Sequence, residues 1–163
     1  MTVLNEITYK PIGVIHSPFK EPKNVPIQAS ASGTTGTIEL NPQYVEGLKD
    51  LEGFSHIILL YHFHLVKSVS LLVKPFLDNN LHGLFATRAP ARPNPIGLSI
   101  VQLKKVDGNI LHIQDVDILD GTPLLDIKPY VPKFDYRENC KIGWFNENLN
   151  NLSAVKDDGR FCH

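Results

Sequence analysis

The sequence lacks the features that would assign it to several common classes of protein. No run approaches the ~20 apolar residues that cross a bilayer, and the N-terminal segment MTVLNEITYK has no basic stretch followed by an apolar one. The cysteines, Cys140 and Cys162, do not form a CxxC pair, which disfavours a redox or zinc motif and favours free thiols in a reducing compartment. We therefore expect a cytoplasmic protein that makes no contact with a membrane.

Motifs of the widespread nucleotide-binding and hydrolytic folds are also missing. There is no GxGxxG, GxSxG or Walker sequence, and no helical pattern recurs between the apolar segments, which argues against a doubly wound α/β sheet. The net charge of −1 excludes the broad basic footprint of many nucleic-acid-binding proteins. Any contact with nucleic acid would need a local patch, such as Lys104 with Lys105 or Lys128 with Lys133, although each pair is more typical of solvated surface.

The chain does carry many short β-strand patterns. Its 163 residues, 42% of them hydrophobic, fit one domain with a full-sized core. Strands are predicted at 9–16, 37–40, 56–66, 70–77, 84–87, 97–106, 110–116 and 122–127. Residues 20–36 form a long loop in this interpretation, and residues 42–51 a short helix with Asn41 as its N-cap. The pattern predicts a mainly β protein with one or two short helices and long loops.

The densest chemical signal is the segment FATRAPARPNPIGLS at residues 85–99. Its prolines exclude a helix interior and a central strand, so we expect a stiff loop that carries Arg88, Arg92 and Asn94. The planar fork of arginine suits a carboxylate or a phosphate. Gly97 removes a side chain where the next strand begins, so a backbone or a ligand can approach closely. A proline-braced connection with arginines paired to local carboxylates is an equally open interpretation.

A second polar segment, DILDGTPLLDIKPY, spans residues 117–130. Asp120-Gly121-Thr122-Pro123 has the chemistry of a turn. In the strand that follows, the period of two places Asp126, Lys128 and Tyr130 on one face. An acid, a base and a phenol on one face are typical of the polar wall of a site, although an exposed face with a Lys–Asp pair would show the same pattern.

His62 and His64 form an HxH pair, a spacing that can chelate a metal on a strand. No glutamate follows within ten residues to complete such a site. The pair is therefore better explained as ordinary core or wall histidines, and we predict no metal.

Together these segments resemble the TrmO (TsaA-like) family. The matching pieces, in the order of the family, are IGVIHSPF at 12–19, VPIQ at 25–28, GLKDLEGFSHIILLYHFH at 47–64, GLFATRAPARPNPIGLS at 83–99 and DGTPLLDIKPY at 120–130. The resemblance implies a single-sheeted β-barrel that binds S-adenosylmethionine, usually as a homodimer with the site near the subunit boundary. It also implies methylation of N6 of threonylcarbamoyladenosine next to the anticodon in certain tRNAs.

By motif match, the resemblance assigns the site residues one by one. Cofactor contacts fall on Pro26, Ile27, Gln28, His64, Leu65, Arg88, Leu98, Asp120, Gly121, Thr122 and Pro123. Arg88 would pair with the methionine carboxylate, and Arg92 and Asn94 would contact the acceptor. We hypothesise that Asp126, Lys128 and Tyr130 position the acceptor, with Asp126 or Tyr130 receiving its proton.

The resemblance places the barrel domain at residues 1–135 and leaves 136–163 as a C-terminal tail that we expect to pack on the barrel. Bacterial members of the family extend further after the KPY motif, and the chain has nearly neutral charge. Three alternatives to tRNA methylation therefore stay open: methyl transfer to a small molecule, S-adenosylmethionine binding without catalysis, and, well behind these, a metal barrel built on His62 and His64.

Overall fold

The computed structural model describes residues 5–162, and its central element is a closed, six-stranded antiparallel barrel. The strands are β1 (Gly13–His16), β2 (Thr35–Leu40), β3 (His56–His62), β4 (Leu72–Val73), β5 (His82–Gly83), β6 (Ile96–Asp107), β7 (Ile110–Gln114) and β8 (Thr122–Pro129). The barrel closes in the order β1–β2–β7–β6–β3–β8, and β4 pairs with β5 in a separate two-stranded sheet. The predicted mainly β, single-sheeted barrel is confirmed.

Helical structure among residues 5–162 is short. The α-helix α1 covers Pro132–Asp135, and the 3₁₀ turns are Ala29–Ala31, Pro42–Leu48, Leu51–Gly53, Leu84–Ala86, Gly143–Glu147 and Leu149–Asn151. None of these has the length and apolar composition required to span a bilayer.

Alternation along the strands fills the barrel interior. On β3, Ile57, Leu59 and Tyr61 are buried, while the residues between them face outward. The same alternation on the other strands completes one contiguous core, whose fully buried members include Ile15, Ile38, Val101, Leu111, Ile113 and Leu124. Because these residues come from every strand of the barrel, the sheet has to close for the core to be covered.

Two local features of the barrel, a hairpin turn and a register shift, depart from regular strand pairing. The β6–β7 hairpin turns at Gly108, whose φ of +61° suits glycine, and this confirms the predicted Asp-Gly-Asn turn. On β8, the register shifts beside Leu60 and Tyr61, so that Leu60 pairs with Asp126 but Tyr61 pairs with Leu124. Leu125 is an extra residue between these two pairs, and it changes the alternation along β8. The side chain that follows Leu124 into the core is therefore that of Ile127. The side chains of Asp126 and Lys128 therefore lie outside the barrel.

Several predicted elements are wrong in extent or type. The strand predicted at 70–77 shrinks to β4, since Pro75 cannot donate to a ladder. Residues 84–87 are not extended, because Leu84–Ala86 form a 3₁₀ turn closed by a 2.7 Å hydrogen bond from the Thr87 hydroxyl to the Leu84 carbonyl. The predicted helix at 42–51 is a 3₁₀ helix that ends at Leu48, before Asp50 in the left-handed region.

The C-terminal segment, residues 136–162, contacts the β4–β5 sheet and the loops beside it. Its Trp144 Nε1 donates a 2.8 Å hydrogen bond to the Ala86 carbonyl, and its Phe161 packs against Val73 and Leu84. Asp157 exchanges backbone hydrogen bonds with the loop before Pro26, donating to the Val25 carbonyl at 2.9 Å. The ends of the two predicted domains, residues 1–4 and 163, lie outside the described residues.

Candidate functional site

A cavity of about 380 Å³ opens at one end of the barrel, where β3 ends and β6 and β8 begin. Five stretches of chain contribute to its wall, namely the loop before the first 3₁₀ turn, the end of β3, the segment around Pro75, the proline-rich loop and the loop between β7 and β8. The C-terminal segment adds Trp144, Phe145, Asp157, Phe161 and Cys162. A cavity of this size is typical of a site for a small organic ligand.

The cavity brings together most of the predicted cofactor residues from distant parts of the sequence. Those that line it are Pro26, Ile27, Gln28, His64, Leu65, Arg88, Leu98 and Thr122, and the predicted acceptor residue Arg92 joins them. Asp120, Gly121, Pro123 and Asn94 are absent from the lining. The contact that each of these residues makes with a cofactor stays a prediction.

Arg88 and Arg92 use their guanidinium groups differently. Arg88 donates one hydrogen bond, of 3.2 Å, to the side-chain carbonyl of Gln28, across two of the predicted segments. Arg92 donates from Nη1 to the carbonyls of Thr87 at 3.0 Å and Ala89 at 3.2 Å, and lies 5.7 Å from the ring of Phe85. Arg92 therefore braces its own loop, whereas Arg88 keeps donors for a ligand.

His64 lies beside the first residue of β8, with its Nδ1 3.4 Å from the Thr122 hydroxyl. Burial is the main cause that lowers the pKa of His64 below its usual value of 6.5, and the neighbouring His62 lowers it further. The ring is therefore neutral near pH 7. His62 lies outside the cavity lining, so the two rings do not share a site. Among residues 5–162 no group of three or more potential ligands could hold a metal ion.

A chain of polar side chains runs into the cavity from inside the barrel. The Tyr61 hydroxyl lies 2.9 Å from the Ser99 hydroxyl, which donates a 2.6 Å hydrogen bond to the carboxyl group of Asp117. Burial raises the pKa of Asp117 to about 6, although the Ser99 hydrogen bond and the Arg88 charge oppose the shift. Burial also raises the pKa of Tyr61.

The sequence analysis did not single out Asp117. The only signal was its position between Val116 and Ile118, which are both buried. A charged residue in such a position is usually paired or functional.

Gly97 permits the close approach that the sequence predicted, and the approaching group is the side chain of Tyr61. A Cβ atom at position 97 would lie 2.2 Å from Cε2 of Tyr61 and 2.9 Å from Cζ of Phe63. The missing side chain lets the Tyr61 ring lie flat against β6 and reach Ser99.

The turn at Asp120 has a structural role beside the cavity. The Asp120 carboxylate accepts hydrogen bonds from the Ser17 backbone at 3.1 Å and from Lys20 Nζ at 2.5 Å. The Lys20 hydrogen bond is the main reason that the pKa of Asp120 is lowered. Gly121 follows with a φ of +77°, as the predicted turn requires. These contacts tie the turn to the end of β1.

Asp126, Lys128 and Tyr130 do not line the cavity. Asp126 and Lys128 form a 2.8 Å ion pair on the outer face of β8, and the Tyr130 ring stacks edge-on to His56 at 6.2 Å. Leu60 pairs with Asp126 on one side and with Leu98, at the cavity rim, on the other. Two strand spacings, about 10 Å, therefore separate Asp126 from Leu98.

Comparison with known proteins identifies relatives of the whole chain. Residues 14–136 match the family model described as the tRNA-methyltransferase O N-terminal domain. A probable S-adenosyl-L-methionine-binding protein of Pyrococcus abyssi is 65% identical over 95% of this chain and 85% of its own length. A mouse tRNA (adenine(37)-N6)-methyltransferase is 36% identical over 94% of this chain.

The solved structures agree in fold. The crystal structure of TrmO from Pseudomonas aeruginosa superposes with a TM-score of 0.73 at 39% identity, over 85% of this chain. The match covers 62% of that bacterial chain and 37% of the mouse protein, so this chain corresponds to one part of those longer relatives.

Proposed function

The chain belongs to the family of tRNA-methyltransferase O N-terminal domains, and we propose that it transfers the methyl group of S-adenosylmethionine to N6 of threonylcarbamoyladenosine next to the anticodon of tRNA. The observation that best supports this proposal is the cavity at one end of the barrel, which is lined by Gln28, Arg88 and Thr122 from three separate segments of the sequence. Relatives named as S-adenosylmethionine-binding proteins and as methyltransferases support the cofactor and the class of reaction. A tRNA substrate would place the protein in the cytoplasm.

The residues in the cavity suit S-adenosylmethionine. The ligand combines an adenosine with a zwitterionic amino acid end and a positive sulfur. Apolar and aromatic side chains, among them Phe63, Leu65, Phe76 and Phe161, offer surface for the adenosine. Arg88 offers a planar guanidinium with uncommitted donors for the carboxylate. The donor, when bound, supplies an already activated methyl group on its sulfonium.

The protein's own contribution is then orientation and exclusion of water. A site that holds two reactants in line can provide about 7–11 kcal/mol of the barrier reduction through their alignment. The neutral state of His64 is consistent with this site, because a protonated imidazole would repel a positively charged ligand.

We also propose that the protein is a homodimer and that the dimer completes the site. Ile96, Leu98 and Ile100 are 41%, 47% and 38% exposed on the outer face of β6. They lie beside the outward residues of β3, and this apolar face reaches from the cavity rim to Asp126 and Lys128 on β8. Two copies joined through this face would cover it and bring Asp126, Lys128 and Tyr130 of one copy towards the cavity of the other. There they would position the acceptor, with Asp126 or Tyr130 receiving the N6 proton.

One observation favours a second candidate, methyl transfer to a small acceptor. Of the lysines proposed as a local tRNA patch, Lys105 is paired with Asp107 at 3.1 Å and Lys128 with Asp126 at 2.8 Å. Pairing reduces the positive potential that phosphate groups would meet.

The test compares two forms of the same tRNA, one carrying threonylcarbamoyladenosine and one transcribed without modifications. We expect transfer of labelled methyl from S-adenosylmethionine to the modified form alone, detected as a methylated nucleoside by mass spectrometry. Cofactor binding without transfer to either tRNA would reject tRNA methylation and leave the small-acceptor candidate. Absence of cofactor binding would reject both.

A further inference from the structure

Asp117 is a carboxyl group in the wall of the cavity for which the proposed mechanism has no role. It lies in the loop between β7 and β8, is partly buried, and lines the cavity. None of the ion pairs among residues 5–162 includes Asp117. A partly buried carboxylate without an ion pair is destabilised by the loss of hydration, and a positively charged ligand would offset this cost.

The groups that face Asp117 come from every element packed around it. Ser99 on β6 donates to its carboxyl group and is itself bonded to Tyr61 on β3. The backbone N–H of Ala29 and the charge of Arg88 also act on it. These contacts fix the orientation of the carboxyl group but leave its negative charge without a cation in direct contact.

We propose that Asp117 binds the α-ammonium group of the methionine end of S-adenosylmethionine, while Arg88 binds the carboxylate on the same carbon atom. The proposal rests on the proposed function. An α-amino acid carries its two opposite charges one carbon apart, so its site needs a cation and an anion close together. Arg88 and Asp117 are such a pair, since each lines the cavity and Arg88 lies near enough to act on the carboxyl group of Asp117.

Asp157, the other acidic residue in the lining, fits this role less well. The charges that act on its carboxylate are those of Asp158 and Arg160 in its own segment, and Arg88, which would bind the neighbouring carboxylate of the ligand, is not among them. Asp117 is therefore the acidic residue that lies near Arg88 and is available to bind the ammonium group of the ligand.

The test measures binding of three ligands by calorimetry to the full chain and to Asp117→Asn. S-adenosylmethionine and S-adenosylhomocysteine both carry the α-ammonium group, whereas 5′-methylthioadenosine has the nucleoside and the sulfur without the amino acid end. We expect D117N to weaken the first two by a similar factor, about 10- to 100-fold, and to leave the third unchanged. Asp115→Asn is the matched control, because Asp115 lies in the same loop, outside the cavity, and bonds to Gln102.

A pH series on the parent and on D117N gives a second readout. Because the pKa of Asp117 is about 6 without ligand, the affinity for S-adenosylmethionine should rise between pH 5 and pH 7 relative to that for methylthioadenosine. Of the groups facing Asp117, Tyr61 does not titrate in that range, because burial raises the pKa of its hydroxyl group, and Arg88 contributes a positive charge. His64 also lines the cavity, but its effect is common to the parent and D117N, so the difference between them isolates Asp117.

Each other outcome overturns the proposal. Equal binding by D117N and the parent would remove Asp117 from the site. Weakening for S-adenosylmethionine alone would assign Asp117 to the sulfonium, and weakening for methylthioadenosine would assign it to the nucleoside or to the fold. If D117N does not fold, the absence of the pH-dependent rise in the parent decides against the proposal. Failure of the parent to bind S-adenosylmethionine at any pH would instead reject the proposed function as well.

Discussion

Replacement of Gly97 by alanine tests the packing on which the cavity depends. The new methyl group would lie 2.2 Å from the Tyr61 ring, so the ring has to move. Overpacking in a core costs about 1–3 kcal/mol, and loss of the Tyr61–Ser99 hydrogen bond adds about 0.5–1.5 kcal/mol. We therefore expect G97A to lower the free energy of unfolding by roughly 2–4 kcal/mol, or the melting temperature by roughly 4–16 °C.

Chemical denaturation followed by circular dichroism measures this loss directly. Gly47→Ala is the matched control, because nothing lies within 4 Å of a Cβ atom at that position. G47A should be close to the parent in stability. A G97A protein as stable as the parent would show that the Tyr61 ring does not depend on the space beside Gly97, and would refute the reasoning.

Two further predictions concern the turn and the proposed dimer. Asp120→Asn removes the negatively charged partner of the Lys20 ion pair. Because the pKa of Asp120 in the folded protein lies below its usual 3.8, the ion pair stabilises the fold above pH 4 and loses this effect as the pH falls through the folded pKa. We expect a loss of roughly 0.5–1 kcal/mol at pH 7 that becomes smaller as the pH falls below 4, measured by denaturation across that range; a constant difference would contradict it. Ile100→Glu should convert a dimer to a monomer in sedimentation velocity, whereas Val69→Glu, on a comparably exposed apolar residue outside the barrel strands, should not; a dimer that survives I100E would place the interface elsewhere.

The parts of the fold that the sequence predicted well rest on local patterns. The β6–β7 hairpin follows from alternation and from a glycine that the turn requires, and both are visible in adjacent residues. The 3₁₀ turn at Leu84–Ala86 has no such pattern, because three residues are too few to show a period. Its conformation depends on the Thr87 hydroxyl and on the Arg92 side chain, which donates to the carbonyls that follow the turn.

The candidate site was predictable only in part, for a similar reason. The segments that carry Gln28, Arg88 and Thr122 were found because their motifs resemble a known family. Asp117 was missed because its setting is created by Ser99 and Tyr61, which are distant in sequence and meet it only in the folded barrel. The outward orientation of Asp126 depends on the β8 register shift, which alternation alone does not show.

The central claim is that the cavity at the end of the barrel holds S-adenosylmethionine with Arg88 on its carboxylate. Calorimetric titration of the parent and of Arg88→Ala with S-adenosylmethionine tests it most directly. Arg137→Ala is the control, since the Arg137 side chain donates to the carbonyls of Phe134 and Tyr136 and lies outside the cavity. We predict binding by the parent and R137A and roughly 10- to 100-fold weaker binding by R88A. No binding by the parent, or equal binding by R88A, would contradict the account.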